Sequence, residues 1–155
     1  MGLTDLFSTD RAFLDLDPTS KTSLLRALSA EASRRLSRPQ EEILEALEAR
    51  ERLGSTALGR GVALPHSQLG ETDRPVALFA RLRQPIDFGA KDGEPVDLVF
   101  LVLWPTKSPE GFLPALAEIC RALRQDQTLR RLRLAKSPHD ALAVLYQAAQ
   151  QAAPA

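Results

Sequence analysis

The chain has 155 residues, 44% of them hydrophobic and 26% charged, with twenty basic and twenty acidic side chains that cancel. That length suits one domain, taken as residues 1–155, which buries roughly 68–70% of its unfolded surface and needs no covalent staple. The charge balance excludes the basic footprint of a nucleic-acid binder. A lone cysteine, Cys120, excludes an internal disulfide. The longest apolar run, around Val99–Trp104, is too short to insert into a membrane. Met1-Gly2-Leu3-Thr4-Asp5 lacks the basic start of a secretion signal, so a cytoplasmic location is expected.

In chain order, Ser20–Leu36 carries Leu24, Leu25, Leu28 and Ala32 at spacings of three and four, one apolar helical stripe. Ser37-Arg38-Pro39 stops it, and the stripe resumes through Ile43, Leu44, Leu47 and Leu53 in a helix over Pro39–Leu53. Glutamates early in that helix and Arg50 and Arg52 at its end suit the dipole, and Gly54 caps it. Three glycines within 54–61 exclude an ordinary helix. Val62-Ala63-Leu64 is a short strand closed by Pro65, and Val76–Leu82 and Val96–Trp104 are further strands, the last apolar on both faces and therefore central. Residues 84–93 are turn chemistry. Helices return over Pro109–Leu123, where Phe112, Leu113, Leu116, Ile119, Cys120 and Leu123 recur at helical spacing, over Thr128–Leu134 and from Ser137-Pro138 onward, with Cys120 read as core and the Ala/Gln-rich tail, 147–155, as frayed. The order ααβββααα describes a single α/β sandwich around a small sheet.

Of two histidines, His139 falls in the first turn of a polar helix and is read as exposed. His66 follows a strand end, where α/β sheets place ligand sites, and a glycine-rich loop with Ser55 and Thr56 precedes it. Two readings stay open. His66 is either a strand-end residue satisfied by backbone hydrogen bonds, or a neutral imidazole able to accept and pass on a phosphoryl group. Arg50 is either a helix-terminal cation or a phosphate partner. Arg60 is read as a solvated loop residue. Two distant histidines and one cysteine are a poor ligand supply for a metal centre, although the acids could contribute, and no nucleophile elbow appears.

The stretch Arg50-Glu51-Arg52-Leu53-Gly54-Ser55-Thr56-Ala57-Leu58-Gly59-Arg60-Gly61-Val62-Ala63-Leu64-Pro65-His66 closely resembles the signature of the fructose/mannitol/nitrogen-type enzyme IIA domains of the phosphoenolpyruvate-dependent phosphotransferase system. The resemblance continues through Ile86-Asp87-Phe88, Pro95–Phe100 and Leu113–Leu123. It implies a mixed sheet flanked by helices, with no cofactor. It also implies that His66 takes a phosphoryl group from the phosphocarrier HPr or its nitrogen-branch paralogue, and that Arg50, Ser55 and Thr56 stabilise it. The phosphorylation state would then control regulatory protein targets, as in the stand-alone nitrogen-regulatory form.

The chain departs from the pattern at Ala57, at Ser67 and Gln68 (commonly Gly or Ala, then a basic residue), and at Phe112, which aligns with a second family histidine. Ser67, Gln68 and Phe112 form the rim of the site, and with Gln68 in place of a cation and Phe112 in place of an imidazole the added charge of about −1.5 to −2 is less compensated. Two alternatives follow: a phosphorylation-impaired regulator acting by protein contact, and a sugar-specific subunit passing phosphate to a IIB domain.

Overall fold

The computed structural model describes residues 2–152, which form helix α1 (Leu3–Leu6), strand β1 (Ala12–Leu16), helices α2 (Lys21–Leu36) and α3 (Gln40–Arg52), and strands β2 (Ala57–Gly59), β3 (Val62–Ala63), β4 (His66–Leu69), β5 (Val76–Ile86) and β6 (Val96–Pro105). Helices α4 (Phe112–Ala122), α5 (Asp126–Leu134) and α6 (Pro138–Ala152) complete it. The α/β sandwich read from the sequence is the architecture found. The sheet runs β1-β5-β6-β3-β2, with β4 on β6 beyond β3, and it is mixed: β1 lies parallel to β5, β5 antiparallel to β6, and β3 and β4 both parallel to β6.

Strand β6 is central because its side chains feed two cores. Leu98, Phe100, Val102 and Trp104 face α1, α4, α5 and α6, whereas Val99, Leu101 and Leu103 face α2 and α3. The second core takes Leu24, Leu25, Leu28, Ala32, Ile43, Leu44 and Leu47, the stripe read from the sequence. Each buried leucine contributes about 1.5–3 kcal/mol. Ser20 caps α2 by accepting from the Ser23 N–H, and Ser37 ends it in the left-handed region at φ 54°.

Several expectations are corrected. Strand β1 was not foreseen, since its edge position leaves Phe13 and Leu14 only half-buried. Strand β5 continues through Gln84 and Pro85, which were expected to turn. Helix α6 holds residues 147–152 that were expected to fray, with Ala148 buried; residues 153–155 lie outside the described ones. Cys120 is exposed, not core, because α4 buries only Ala115, Ile119 and Ala122. Leu53 and Leu113, expected on buried stripes, are 84% and 72% exposed.

Arg60 is likewise not a merely solvated residue. Arg60 and Gly61, with φ of 56° and 81°, form the two-residue turn between β2 and β3, the geometry of a type I′ hairpin. A side chain at position 61 would strike Arg133 and come within 2.9 Å of Asp97 Oδ1, so only glycine fits. The Arg60 guanidinium donates to the carbonyls of Leu123 (2.9 Å) and Arg124 (3.0 Å), capping the end of α4. Arg133 donates to Arg60 O at 2.7 Å and pairs with Asp97 through two bonds of 2.9 Å, locking this turn onto α5.

Candidate functional site

Strands β3 and β4 run in one line along β6, broken at Leu64-Pro65. Pro65 O accepts from Val102 N at 3.0 Å, which restarts the pairing with His66 opposite Val102. His66 therefore opens a second parallel segment rather than trailing past a strand end. The break leaves the Leu64 carbonyl 2.7 Å from His66 Nδ1. A carbonyl oxygen only accepts, so the ring proton sits on Nδ1 and the lone pair is on Nε2. Burial holds the His66 pKa below its ordinary value of 6.5. The Leu64 hydrogen bond and the Glu51 carboxylate oppose that shift, and the Arg50 guanidinium reinforces it. Near pH 7 the half-buried ring is neutral.

His66 lines an open cleft of about 440 Å³ between the last turns of α3 and the start of α4. Ala46, Ala49, Arg50 and Leu53 form one wall, Ser67 and Gln68 the floor, and Phe112 the opposite rim. Arg50 donates from Nη1 to Gly54 O at 2.9 Å, so the guanidinium caps its own helix while facing the cleft. The helix-terminal reading of this residue is thus met, and its place in the cleft lining keeps the phosphate-partner reading open. Ser67 donates to Gln68 O at 3.2 Å, and Gln68 is exposed.

Ser55 and Thr56 stand outside the cleft lining, and their hydroxyls donate to groups beyond the loop. Ser55 Oγ donates to Phe88 O at 2.8 Å and accepts from Ala57 N at 3.1 Å. Thr56 is buried; its N–H donates to Glu51 Oε1 at 3.1 Å and its hydroxyl to Glu51 Oε2. The Glu51 side chain, only 7% exposed, is paired with Lys21 at 2.7 Å. Lys21 also reaches Phe88 O at 3.3 Å and lies 4.4 Å above the Phe88 ring. This Lys21–Glu51–Thr56 network fixes the loop that follows Arg50. Glu51 stood inside the recognised stretch without a role, whereas Lys21 carried no sequence signal because its partner lies thirty residues onward.

On the opposite rim Phe112 meets His66 edge-on, with ring centroids 5.8 Å apart and planes at 62°. Phe112 in turn leans on Trp104 at 6.1 Å, and the indole N–H donates to Ser108 O at 2.8 Å. Among the described residues no cluster of three metal-ligating side chains converges.

Fold and cleft define a three-layer α/β protein that offers one neutral imidazole beside a guanidinium. The sequence model of the family described as phosphoenolpyruvate-dependent sugar phosphotransferase system, EIIA 2, matches residues 5–148, and the chain belongs to that family. It is 40% identical over 145 residues to a nitrogen regulatory protein of Bradyrhizobium diazoefficiens, covering 94% of this chain and 95% of that one. A nitrogen regulatory protein of Escherichia coli K12 is 39% identical over 122 residues, 78% of this chain and 75% of its own. Among solved structures, the nitrogen regulatory protein IIA-Ntr of Neisseria meningitidis superposes with a TM-score of 0.87 at 31% identity, covering 91% of this chain and 97% of that one. IIA mannitol of Escherichia coli, at 19% identity and a TM-score of 0.75, shares the fold; the match covers 90% of this chain and 98% of that one. No helix among the described residues is long and apolar enough to cross a membrane.

Proposed function

We propose that His66 is a phosphoryl acceptor, loaded at Nε2 by an HPr-like phosphocarrier, and that its phosphorylation state controls binding to regulatory protein targets. One observation carries the reading: the Nδ1 proton is committed to the Leu64 carbonyl, which leaves the Nε2 lone pair free on a ring that shares its cleft with Arg50. In the transfer the Nε2 pair forms a bond to phosphorus while the bond from phosphorus to the carrier breaks and its electron pair stays with the carrier. Arg50 compensates charge on the phosphoryl in flight. Ser55 and Thr56 serve it through the loop they brace. Leu53 and Leu113, exposed beside the cleft, supply the apolar contacts on which the carrier seats.

The regulatory destination is favoured by the relatives named nitrogen regulatory protein. A contact-only regulator is the second reading, favoured by Gln68 and Phe112, neither of which offers a cation to the phosphoryl. Incubation with phosphoenolpyruvate and the upstream enzymes, followed by intact-mass measurement, separates the two. A single phosphoryl adduct absent from His66→Ala is expected. No adduct on the wild type overturns loading by the carrier, and an adduct that survives His66→Ala overturns the acceptor role.

A further inference from the structure

We infer that Phe112 is a positioning residue for His66: seated on Trp104, its ring fixes the imidazole edge-on and keeps water from the Nε2–phosphorus bond once a phosphoryl group is attached. This rests on the acceptor role proposed above and adds to it a device against leakage to solvent.

The geometry is a stack built outward from the sheet. Trp104 is buried at the end of β6 and tied by its N–H to Ser108 O. Gly111 lies flat on the indole, where a Cβ would come 2.5 Å from Trp104 Cζ2, so any larger residue must push the aromatic ring aside. That close approach delivers Phe112, the next residue, against both Trp104 and His66. The imidazole is then held at two points, by the Leu64 carbonyl at Nδ1 and by an aromatic ring at its flank.

Phenylalanine has no hydrogen-bonding group and cannot compensate charge. Its contribution is exclusion. In the loss reaction a water oxygen bonds to phosphorus, the P–Nε2 bond breaks with its electron pair returning to Nε2, and both protons of the water leave with the inorganic phosphate. An apolar ring beside the bond denies that water its hydrogen-bonded approach. A protein acceptor docking on the cleft brings its own nucleophile and does not depend on the excluded water. The two effects are separable: scarce charge compensation makes the phosphoryl easy to pass on, and the aromatic rim slows its loss to solvent.

The charged groups acting on His66 are Arg50, which favours the neutral ring, and Glu51, which favours the cation. Neither belongs to the Phe112 element, so substituting Phe112 leaves both in place.

The test loads wild type, Phe112→Ala, Phe112→Tyr and Gly111→Ala with potassium phosphoramidate and follows the adduct by intact mass at neutral pH. Phe112→Ala should shorten the adduct lifetime by roughly three- to tenfold. Phe112→Tyr should retain it, and Gly111→Ala, which displaces the indole beneath, should shift it toward the alanine value. His66 ring titration by NMR supplies a readout independent of phosphorylation: its pKa should rise in Phe112→Ala as the ring gains solvent. Equal lifetimes in wild type and Phe112→Ala, or an unmoved His66 titration, overturn the inference. An adduct formed from phosphoramidate but not from the phosphocarrier sinks the carrier reading alone. No adduct on His66 from either donor overturns both.

Discussion

The two walls of the cleft are built from opposite materials. On the α3 side Arg50 lines the cleft with the imidazole, and beyond it one ion pair, Lys21–Glu51, extends by hydrogen bonds to Thr56 and, through the Phe88 carbonyl, to Ser55. On the α4 side Gly111, Trp104 and Phe112 meet through shape alone. In the proposed reading a phosphoryl group on His66 uses both. The polar wall supplies charge, which acts at a distance and tolerates small shifts, whereas the aromatic wall acts only at contact and depends on a glycine-tight fit.

Substitutions that break one wall while sparing the other sharpen this contrast. Glu51→Ala removes the partner of Lys21 and both acceptors of Thr56, leaving charge and donors unmatched. It should destabilise the fold by about 3 kcal/mol in urea unfolding, with Glu51→Gln milder. Arg50→Ala removes the charge facing the ring and should slow phosphoryl acceptance by roughly ten- to a hundredfold in rapid-quench measurements, with little change in stability. Leu113→Glu leaves both walls intact and alters only the surface beside them. It should lower the kcat/KM for the carrier about fivefold while phosphoramidate loading stays unchanged.

The smallest effect is on pH. The folded His66 pKa lies below the unfolded value of 6.5, so the unfolded chain binds the proton more readily. Stability from this group is complete above pH 6.5 and declines as pH falls through that value and below it. Comparing wild type with His66→Gln by thermal unfolding from pH 7.5 to 5 should show the wild type losing more. Acceptance depends on the lower pKa of the folded protein, so it should hold through pH 6.5 and fall only at more acidic pH than the stability does.

Much of this was legible in the sequence where a single face or a single run decided the outcome. Val96–Trp104 reads as a central strand because both its faces are apolar, and Leu24 through Leu47 read as two helices because their stripes point one way. His66 and Arg50 were visible from their neighbours in the chain, and Phe112 from its place in the resemblance. The misses arise where tertiary partners override local pattern. His66-Ser67-Gln68-Leu69 is a strand because β6 offers it a ladder, not because the residues favour extension. The stripe through Phe112, Leu113, Leu116, Ile119, Cys120 and Leu123 is wider than the strip α4 can bury, and Leu113 and Cys120 fall on its exposed margins. The hydroxyls of Ser55 and Thr56 read both as loop braces and as donors to an anion; the bracing partners are Glu51, five residues back, and the distant Phe88 O, which no local pattern announces.

The hydrogen bond from His66 to the backbone of Leu64 has a genetic consequence. An anchor made from a main-chain oxygen is present whatever residue the codon specifies, so no single replacement at position 64 deletes it. Drift in the surrounding side chains can retune how fast the histidine reacts, while the choice between its two nitrogens is inherited with the chain path itself.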